Sequence, residues 1–312
     1  MGIRKCGAFF LRLLTLGCVG CGELAPSFPP QTADAPAVLA AKSAQLDGGG
    51  IYIYTCQNGT TFDCLVYNER GTLLRTLSLG VRSPDGVAAG RDGLFYVANN
   101  FGADLLVYSA GGRKLLRTLD NGGNAPVDVA VYHDSLAVAN LHDMTFFRAG
   151  VTKPTRTLED THALQGTGAA FDLHGNCYWS LVNQQLTAQV DEFNGCNGKP
   201  HKLNIRPGSP YGIAFDHRDN LYYTSFSTQT NGVYRCKRVS SCSLVYDQFV
   251  DPQYLNFSAD YRYLWINDPG NLSEGSALDE VRVVTGKVVR KITNGISFFD
   301  PPAGVAHGPG PL

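Results

Sequence analysis

Short apolar runs, separated by Gly, Asn, Asp and Pro, recur along the chain from residue 51 onward. Residues 94–99, 221–224 and 263–267 are examples, and each is rich in aromatic or β-branched residues. Such residues pack well on a pleated sheet, and the polar residues and glycines between the runs are suited to turns. The pattern therefore predicts a chain of short antiparallel strands.

One motif within this pattern returns at regular spacing. It reads Pro-x-Gly or Pro-x-Asp, followed by small apolar residues, and copies start at Pro84, Pro126, Pro210 and Pro302. Pro84 and Pro126 lie 42 residues apart, and Pro210 follows Pro126 by 84 residues, which is twice that interval. A repeat of this length with several short strands in each unit is typical of a β-propeller.

The strands that follow each motif give the number of blades. Complete four-strand units begin near Pro84, Pro126, Gly166, Pro210 and Pro252. Residues 51–79 supply three strands but no inner one, whereas residues 302–308 supply an inner strand without a unit. We therefore predict an all-β fold, a six-bladed β-propeller with four-stranded blades, closed by a C-terminal strand that completes the first blade. Sharing a blade between both chain ends pairs two otherwise free sheet edges.

Other architectures also produce short strands. A seven-bladed or other closed ring is the nearest alternative, and an open β-sandwich or a solenoid is a more distant one. The sandwich and the solenoid leave the C-terminal strand unexplained.

The first 49 residues have a different composition. Arg4 and Lys5 precede an apolar run over residues 8–20 that is typical of a signal peptide and too short to cross a bilayer. Residues 14–18 and 18–21 each place a small residue before a cysteine, which resembles the lipobox of bacterial lipoproteins. We predict a signal peptide over residues 1–21, with Cys21 or Cys18 lipidated; an ordinary secretory signal is the alternative. Residues 22–49, rich in Pro and Ala, are the predicted flexible tether, and residues 50–312 the propeller.

Six of the nine cysteines lie beyond the predicted signal peptide. An even number of cysteines in an exported chain indicates disulfides. The strand assignment favours one set of pairs, because it places the two members of each pair on adjacent strands: Cys56–Cys64, Cys177–Cys196 and Cys236–Cys242. Reduced, buried thiols are the alternative.

The candidate ligand-binding residues lie at one end of the predicted channel. We call this end the loop face, since it carries the start of each inner strand and the loops between second and third strands; the opposite end is the turn face. Polar and amide side chains predominate on the loop face: Asp85, Asn99, Asn100, His142, Asp143, Tyr211, Gln253, Asn267 and Asp268. His142 and Asp143 are a candidate acid–base pair, although a solvated loop histidine is the simpler interpretation.

Residues 83–87, Ser-Pro-Asp-Gly-Val, and residues 93–98, Gly-Leu-Phe-Tyr-Val-Ala, resemble NHL-repeat propellers and the group that includes gluconolactonase and regucalcin. In lactonases of that group, an Asp of this motif joins a Glu and one or two Asn from other blades around a divalent metal, and Asp85 matches that Asp. The equivalent positions in other units are Val127, Thr167, Tyr211, Gln253 and Ala303. A hard cation prefers several oxygen ligands. We therefore predict no cofactor and no metal site, with Asp85 the ligand if a divalent metal binds and otherwise a turn residue.

The charge balance narrows the functional classes. The chain is 44% hydrophobic with a net charge of −1, which disfavours a nucleic-acid partner. The leading hypothesis is a non-catalytic propeller of the bacterial cell envelope that binds a protein or small-molecule ligand at the channel face. It is expected to be exported and held to a membrane by its lipid anchor, in the periplasm or outside the cell. The alternative is a propeller enzyme of the lactonase, hydrolase or lyase type with an altered channel site, which a tightly bound divalent metal would favour.

Overall fold

The structure is a computed structural model that describes residues 50–225, 231–237, 239–273 and 275–309. The predicted signal peptide, the tether, Cys18 and Cys21 lie outside the described residues. No helix within the described ranges is long and apolar enough to cross a membrane.

The described ranges contain six antiparallel sheets of four strands each, which are the blades of a propeller. Blade 1 contains β1 (Tyr52–Asn58), β2 (Phe62–Asn68) and β3 (Leu73–Leu77). Blade 2 contains β4 (Pro84–Ala89), β5 (Phe95–Asn99), β6 (Asp104–Tyr108) and β7 (Leu115–Asp120). Blade 3 contains β8 (Pro126–Tyr132), β9 (Ser135–Asn140), β10 (Met144–Phe147) and β11 (Arg156–Leu158).

The remaining blades repeat this arrangement. Blade 4 contains β12 (Ala163–Phe171), β13 (Cys177–Asn183), β14 (Ala188–Phe193) and β15 (His201–Leu203). Blade 5 contains β16 (Pro210–Phe215), β17 (Leu221–Ser225), β18 (Gly232–Lys237) and β19 (Ser241–Tyr246). Blade 6 contains β20 (Leu255–Phe257), β21 (Tyr263–Asn271), β22 (Gly275–Arg282) and β23 (Lys287–Ile292), and β24 (Ala306–Gly308) completes blade 1. Short 3-10 helices occupy Asn100–Gly102, Ala110–Gly112 and Asn194–Cys196.

The inner strands form a closed ring around the axis. Each of β4, β8, β12, β16, β20 and β24 contacts the next, and β24 contacts β4. This confirms the predicted six-bladed, four-stranded propeller. At the join, β24 pairs with β1 and occupies the inner position that blade 1 lacks, so the edge of β1 is not left unpaired.

Hydrogen bonds hold the join between the two ends of the chain. Strand β24 runs antiparallel to β1, with Tyr52 opposite Gly308 and Tyr54 opposite Ala306. Above this pairing, the Thr55 hydroxyl donates to the Gly304 carbonyl over 2.5 Å, and the Ala303 amide donates to the Cys56 carbonyl over 2.8 Å. The closure is thus a continuous ladder of backbone and side-chain bonds.

The apolar core lies between neighbouring blades rather than in one central mass. Tyr54 of blade 1 stacks on Phe95 of blade 2 with ring centroids 4.2 Å apart. Trp179 of blade 4 is fully buried against blade 3, and Phe257 of blade 6 lies against Tyr222 of blade 5. Burial of each such side chain contributes about 1.5–3 kcal/mol, so every blade is stabilised by both of its neighbours.

All three predicted disulfides are present, and each stays within one blade. Cys56–Cys64 joins β1 to β2, and Cys236–Cys242 joins β18 to β19. Cys177–Cys196 joins the start of β13 to the 3-10 helix after β14. Their presence supports an exported or extracellular protein, because disulfides persist in oxidising compartments.

A charge inserted in the closing strand should open the ring. Ala306 is fully buried between blades 1 and 2, so Ala306→Asp leaves an uncompensated charge there. We expect a loss of about 3 kcal/mol or more in the free energy of unfolding, measured by urea denaturation. Val284→Asp, at a residue that is 91% exposed, is the matched control. Equal losses in the two variants would contradict the closing role of β24.

Candidate functional site

The inner strands approach the axis most closely at the third residue of each inner-strand motif. Four blades have glycine there: Gly86, Gly168, Gly212 and Gly304. A Cβ on Gly168 would lie 2.6 Å from the Tyr211 carbonyl oxygen, and one on Gly86 would overlap the Asp128 carboxyl. Only glycine therefore fits in those blades. Blades 3 and 6 instead carry Asp128 and Tyr254, and these two side chains fill the centre of the ring.

Tyr254 closes the channel toward the loop face. Its side chain is 3% exposed, and its hydroxyl donates to the Val127 carbonyl over 3.2 Å and lies 3.5 Å from Asp85 Oδ1. Its ring meets that of Tyr211 edge-on at 5.4 Å. Burial, followed by the negative charge of Asp85, raises the pKa of Tyr254 well above its usual value. The phenol therefore stays neutral and keeps its donated hydrogen bond.

Asp128 lies beside Tyr254 and links three inner strands. Its carboxyl packs against Gly86 of blade 2, and its Oδ2 accepts the Ala169 amide of blade 4 over 2.9 Å. Burial raises the pKa of Asp128 to about 7, while the amides of Ala169 and Val129 act in the opposite direction. A buried carboxyl that changes charge near neutral pH thus lies on the propeller axis.

A cavity of about 80 Å³ extends from this pair toward the turn face. Most of the residues that line it are of apolar types, and Phe171 and Tyr261 are half-buried at its outer end. Small-molecule sites usually measure roughly 300–1,000 Å³. The cavity accordingly suits a very small or narrow ligand.

Three of the residues predicted to bind a ligand lie on the other side of Tyr254. Asp85, Tyr211 and Gln253 are half-buried on the loop face and do not line the cavity. The structure brings Asp85 and Tyr211 together around Tyr254. A ligand-binding role for these residues stays a prediction.

Two of the predicted polar residues hold the connections between blades. Asn99 Oδ1 accepts the Arg82 amide over 2.6 Å, and its Nδ2 donates to the Gly80 carbonyl over 3.1 Å. Asp268 accepts the amides of Val250 and Asp251 over 3.0 and 2.8 Å. Both side chains fix the segment that leads into their own blade.

Two further amides tie one blade to the next. Asn100 Nδ2 donates to the Pro126 carbonyl over 3.0 Å, and Asn267 Nδ2 donates to the Pro302 carbonyl over 2.9 Å. Asn267 also accepts the Tyr254 amide through its Oδ1, which helps to position the axial tyrosine. These contacts give the buried loop-face amides a structural role that the sequence did not reveal.

His142 and Asp143 make separate contacts. His142 Nδ1 lies 2.9 Å from the Leu164 carbonyl oxygen, and Asp143 Oδ1 accepts Asn140 Nδ2 over 2.6 Å. Burial raises the pKa of Asp143, while Asn140 and the neighbouring His142 act in the opposite direction. The two side chains therefore face different partners in this arrangement.

Buried carboxyls in blades 4 and 6 were missed in the sequence. Asp191 and Asp279 occupy equivalent positions on the third strand of each blade, opposite Lys202 and Lys291 of the fourth. Burial raises the pKa of Asp191 to about 7 and that of Asp279 to about 6. An Asp in the middle of a strand, with a Lys on the strand that follows, was the available signal.

Asp160, in the connection to blade 4, shows the reverse effect. Burial acts to raise its pKa, but hydrogen bonds from Lys202 and His162 prevail and lower it to about 2. Lys202 Nζ lies 2.7 Å from Asp160 Oδ2, and His162 Nδ1 lies 3.2 Å from Oδ1. Lys202 is thus held by Asp160, beside the buried Asp191.

Within the described ranges, no three His, Cys, Asp or Glu side chains come together in a way that could hold a metal ion. The sequence matches no protein-family model and no curated protein.

Solved structures provide the similarity that sequence does not. The crystal structure of a nidogen/laminin complex contains a chain with a TM-score of 0.62 and 16% identity, covering 83% of this chain and 98% of that one. Hydrazine synthase from Kuenenia stuttgartiensis contains a chain with a TM-score of 0.55 and 12% identity, covering 75% of each. At these identities the likeness shows the fold alone.

The buried carboxyls should make the protein more stable in mild acid. A carboxyl whose folded pKa is raised binds more protons in the folded state, so the stability that it confers is complete below about pH 4 and is lost as pH rises through about 7. Burial lowers the pKa of His307, so this one group acts in the opposite direction and lowers the stability of the protein in mild acid. We expect unfolding at pH 5 to require about 2–4 kcal/mol more than at pH 8, measured by urea denaturation.

Removing two of the carboxyls isolates their effect. The double variant Asp191→Asn and Asp279→Asn should reduce this pH dependence and leave the part that comes from Asp128, whereas Asp134→Asn, at an exposed turn residue, should retain all of it. An unchanged profile in the double variant would assign the dependence to other groups.

Proposed function

We propose that this chain is a non-catalytic, protein-binding propeller of the bacterial cell envelope that recognises its partner through an aromatic patch on the loop face. The patch consists of Phe62, Phe101 and Phe299, which are 41%, 67% and 68% exposed. Exposed apolar side chains that cluster on one face mark interaction surfaces in soluble proteins. This patch is the observation that carries the proposal.

The loops that present the patch are bonded to one another. The rings of Phe62 and Phe101 meet edge-on with centroids 6.4 Å apart. The Thr60 amide donates to the Phe299 carbonyl over 3.3 Å, and Thr60 Oγ1 donates to Asp300 Oδ1 over 2.7 Å. A surface fixed in this way loses little conformational entropy when a partner binds.

Exposed apolar residues favour the loop face as a whole. Leu79, Leu186 and Leu272 are 72%, 64% and 76% exposed in its connections and hairpins, whereas Val284 lies on the turn face. Arg82 is exposed next to the patch, with its carbonyl accepting the Phe101 amide over 3.1 Å. We infer a partner surface of aliphatic side chains flanked by a carboxylate.

The lipobox-like sequence at residues 14–21 supports a role at a membrane. We propose that Cys21 or Cys18 carries a lipid, with residues 22–49 as the tether.

Two similarities support parts of this proposal. A chain of the same fold occurs in a nidogen/laminin complex, which is an assembly of proteins. The Ser-Pro-Asp-Gly-Val segment at residues 83–87 supports a relationship to NHL-repeat propellers. Homologues that carry this motif in every blade would strengthen the case for that relationship.

The patch should be required for partner binding. We expect the double variant Phe101→Ser and Phe299→Ser to lose at least about tenfold in affinity, because truncating two central aromatic side chains costs more than about 1.4 kcal/mol. The measurement is quantitative capture of the partner from envelope extracts of the native cell, followed by titration with the purified partner. Val284→Ser is the control on the turn face. A partner retained equally by both variants would place recognition elsewhere.

Lipidation has its own test. Cells expressing the full chain should incorporate labelled palmitate into the protein, and the membrane fraction should contain it. Cys21→Ser should abolish both signals if Cys21 is the anchor, and Cys18→Ser should do so if Cys18 is. Retention of the label in the double variant would exclude both cysteines, without bearing on the aromatic patch.

A further inference from the structure

The axial cavity has a chemical character that is distinct from the aromatic patch. It ends at Asp128 and Tyr254 and extends to the turn face, on the opposite side of the propeller from the patch. Its lining includes two carboxylates, Asp128 and Asp172, and no Lys, Arg or His side chain among the described residues. The charged groups that face this cavity are therefore all acidic.

The two carboxylates differ in the groups that donate hydrogen bonds to them. Asp172, at the outer end, accepts hydrogen bonds in its own turn from the amides of His174 and Asn176, both over 2.9 Å, and from the Tyr178 hydroxyl over 3.2 Å. Asp128, at the closed end, is 7% exposed, and backbone amides are its hydrogen-bond donors. A buried carboxylate without a cationic neighbour is strongly attracted to a small cation, since the low local dielectric strengthens the charge interaction.

The walls add two further constraints. The inner strands are the edges of their sheets, so backbone groups on those edges face the channel. Ile213, Phe215 and Phe171 are among the residues that line the outer part, and their apolar side chains also pack between neighbouring blades. An ammonium group has three hydrogen-bond donors and no acceptor. It can therefore donate to the carboxylate and to edge carbonyls at the closed end of the cavity. An alkyl tail on the same ion would lie in the outer part.

We propose that the axial cavity binds a small unbranched aliphatic ammonium ion, with its ammonium group at Asp128 and its alkyl chain directed toward Phe171 and Tyr261. The cavity volume of about 80 Å³ is roughly half that of an apolar cavity of about 150 Å³ that holds benzene. The ligand is accordingly narrow, and its tail reaches the outer end of the channel.

Titration with n-butylammonium chloride tests the assignment. At pH 8 we expect it to bind at least tenfold more tightly than n-butanol, measured by calorimetry and by shifts of Ile213 methyl resonances. Sodium butyrate should not bind, because its charge has the same sign as that of Asp128. tert-Butylammonium should bind at least tenfold more weakly than the unbranched ion, because its branched carbon places three methyl groups next to the ammonium at the closed end of the cavity.

Variants separate the charge from the shape. Asp128→Asn should remove the preference for n-butylammonium over n-butanol, whereas Asp134→Asn, an exposed acid of the same blade, should leave it intact. Ala214→Leu adds volume at a residue that lines the cavity and leaves Asp128 unaltered, and it should weaken n-butylammonium at least tenfold even if the Asp128 variant does not fold. Equal binding of amine and alcohol by the unaltered protein, or undiminished binding by Ala214→Leu, would overturn the proposal. Neither result depends on the aromatic patch.

Discussion

The structure depends on how closely six inner strands can approach a single axis. In four blades the contact leaves room only for a glycine hydrogen, since a methyl group on Gly168 would collide with the Tyr211 carbonyl oxygen. The two blades that carry a side chain at this level, Asp128 and Tyr254, therefore fill the centre. Their presence closes the channel toward the loop face and leaves a narrow cavity that extends to the turn face. The position of the axial cavity follows from this one restriction.

The buried and the exposed side chains of the loop face have different roles. Its buried polar side chains, including Asn99, Asn100 and Asn267, bond to backbone groups of their own and neighbouring blades, and these bonds hold the blades in register. The side chains that remain exposed are large and apolar, such as Phe101 and Phe299. Recognition is therefore assigned to the rim of this face rather than to its centre.

The repeat, the blade number, the ring closure and the disulfide pairs could be predicted from sequence because each follows from local strand order. How deeply each polar side chain is buried could not be predicted from the sequence. Asn99 and Asp268 are residue types that are common in binding sites, but they accept hydrogen bonds from backbone amides of the connections that lead into their own blades. The repeat does contain one further indication. Asp128 and Tyr254 stand where four other blades have glycine, and this is the position at which space between the inner strands is most limited. A larger residue at that position is therefore a candidate to fill the axis.

The closing pair of strands has a mechanical consequence. Tyr52 lies opposite Gly308, so the described chain enters and leaves the ring at the same end of an antiparallel ladder. Among the described residues no disulfide crosses that ladder, whereas Cys56–Cys64 joins β1 to β2 on the other side. Pulling the two chain ends apart would peel these hydrogen bonds one after another. A force between the start of β1 and a partner on the loop face would instead act along β1. The hydrogen bonds to the strand on each side of β1 would then resist that force together.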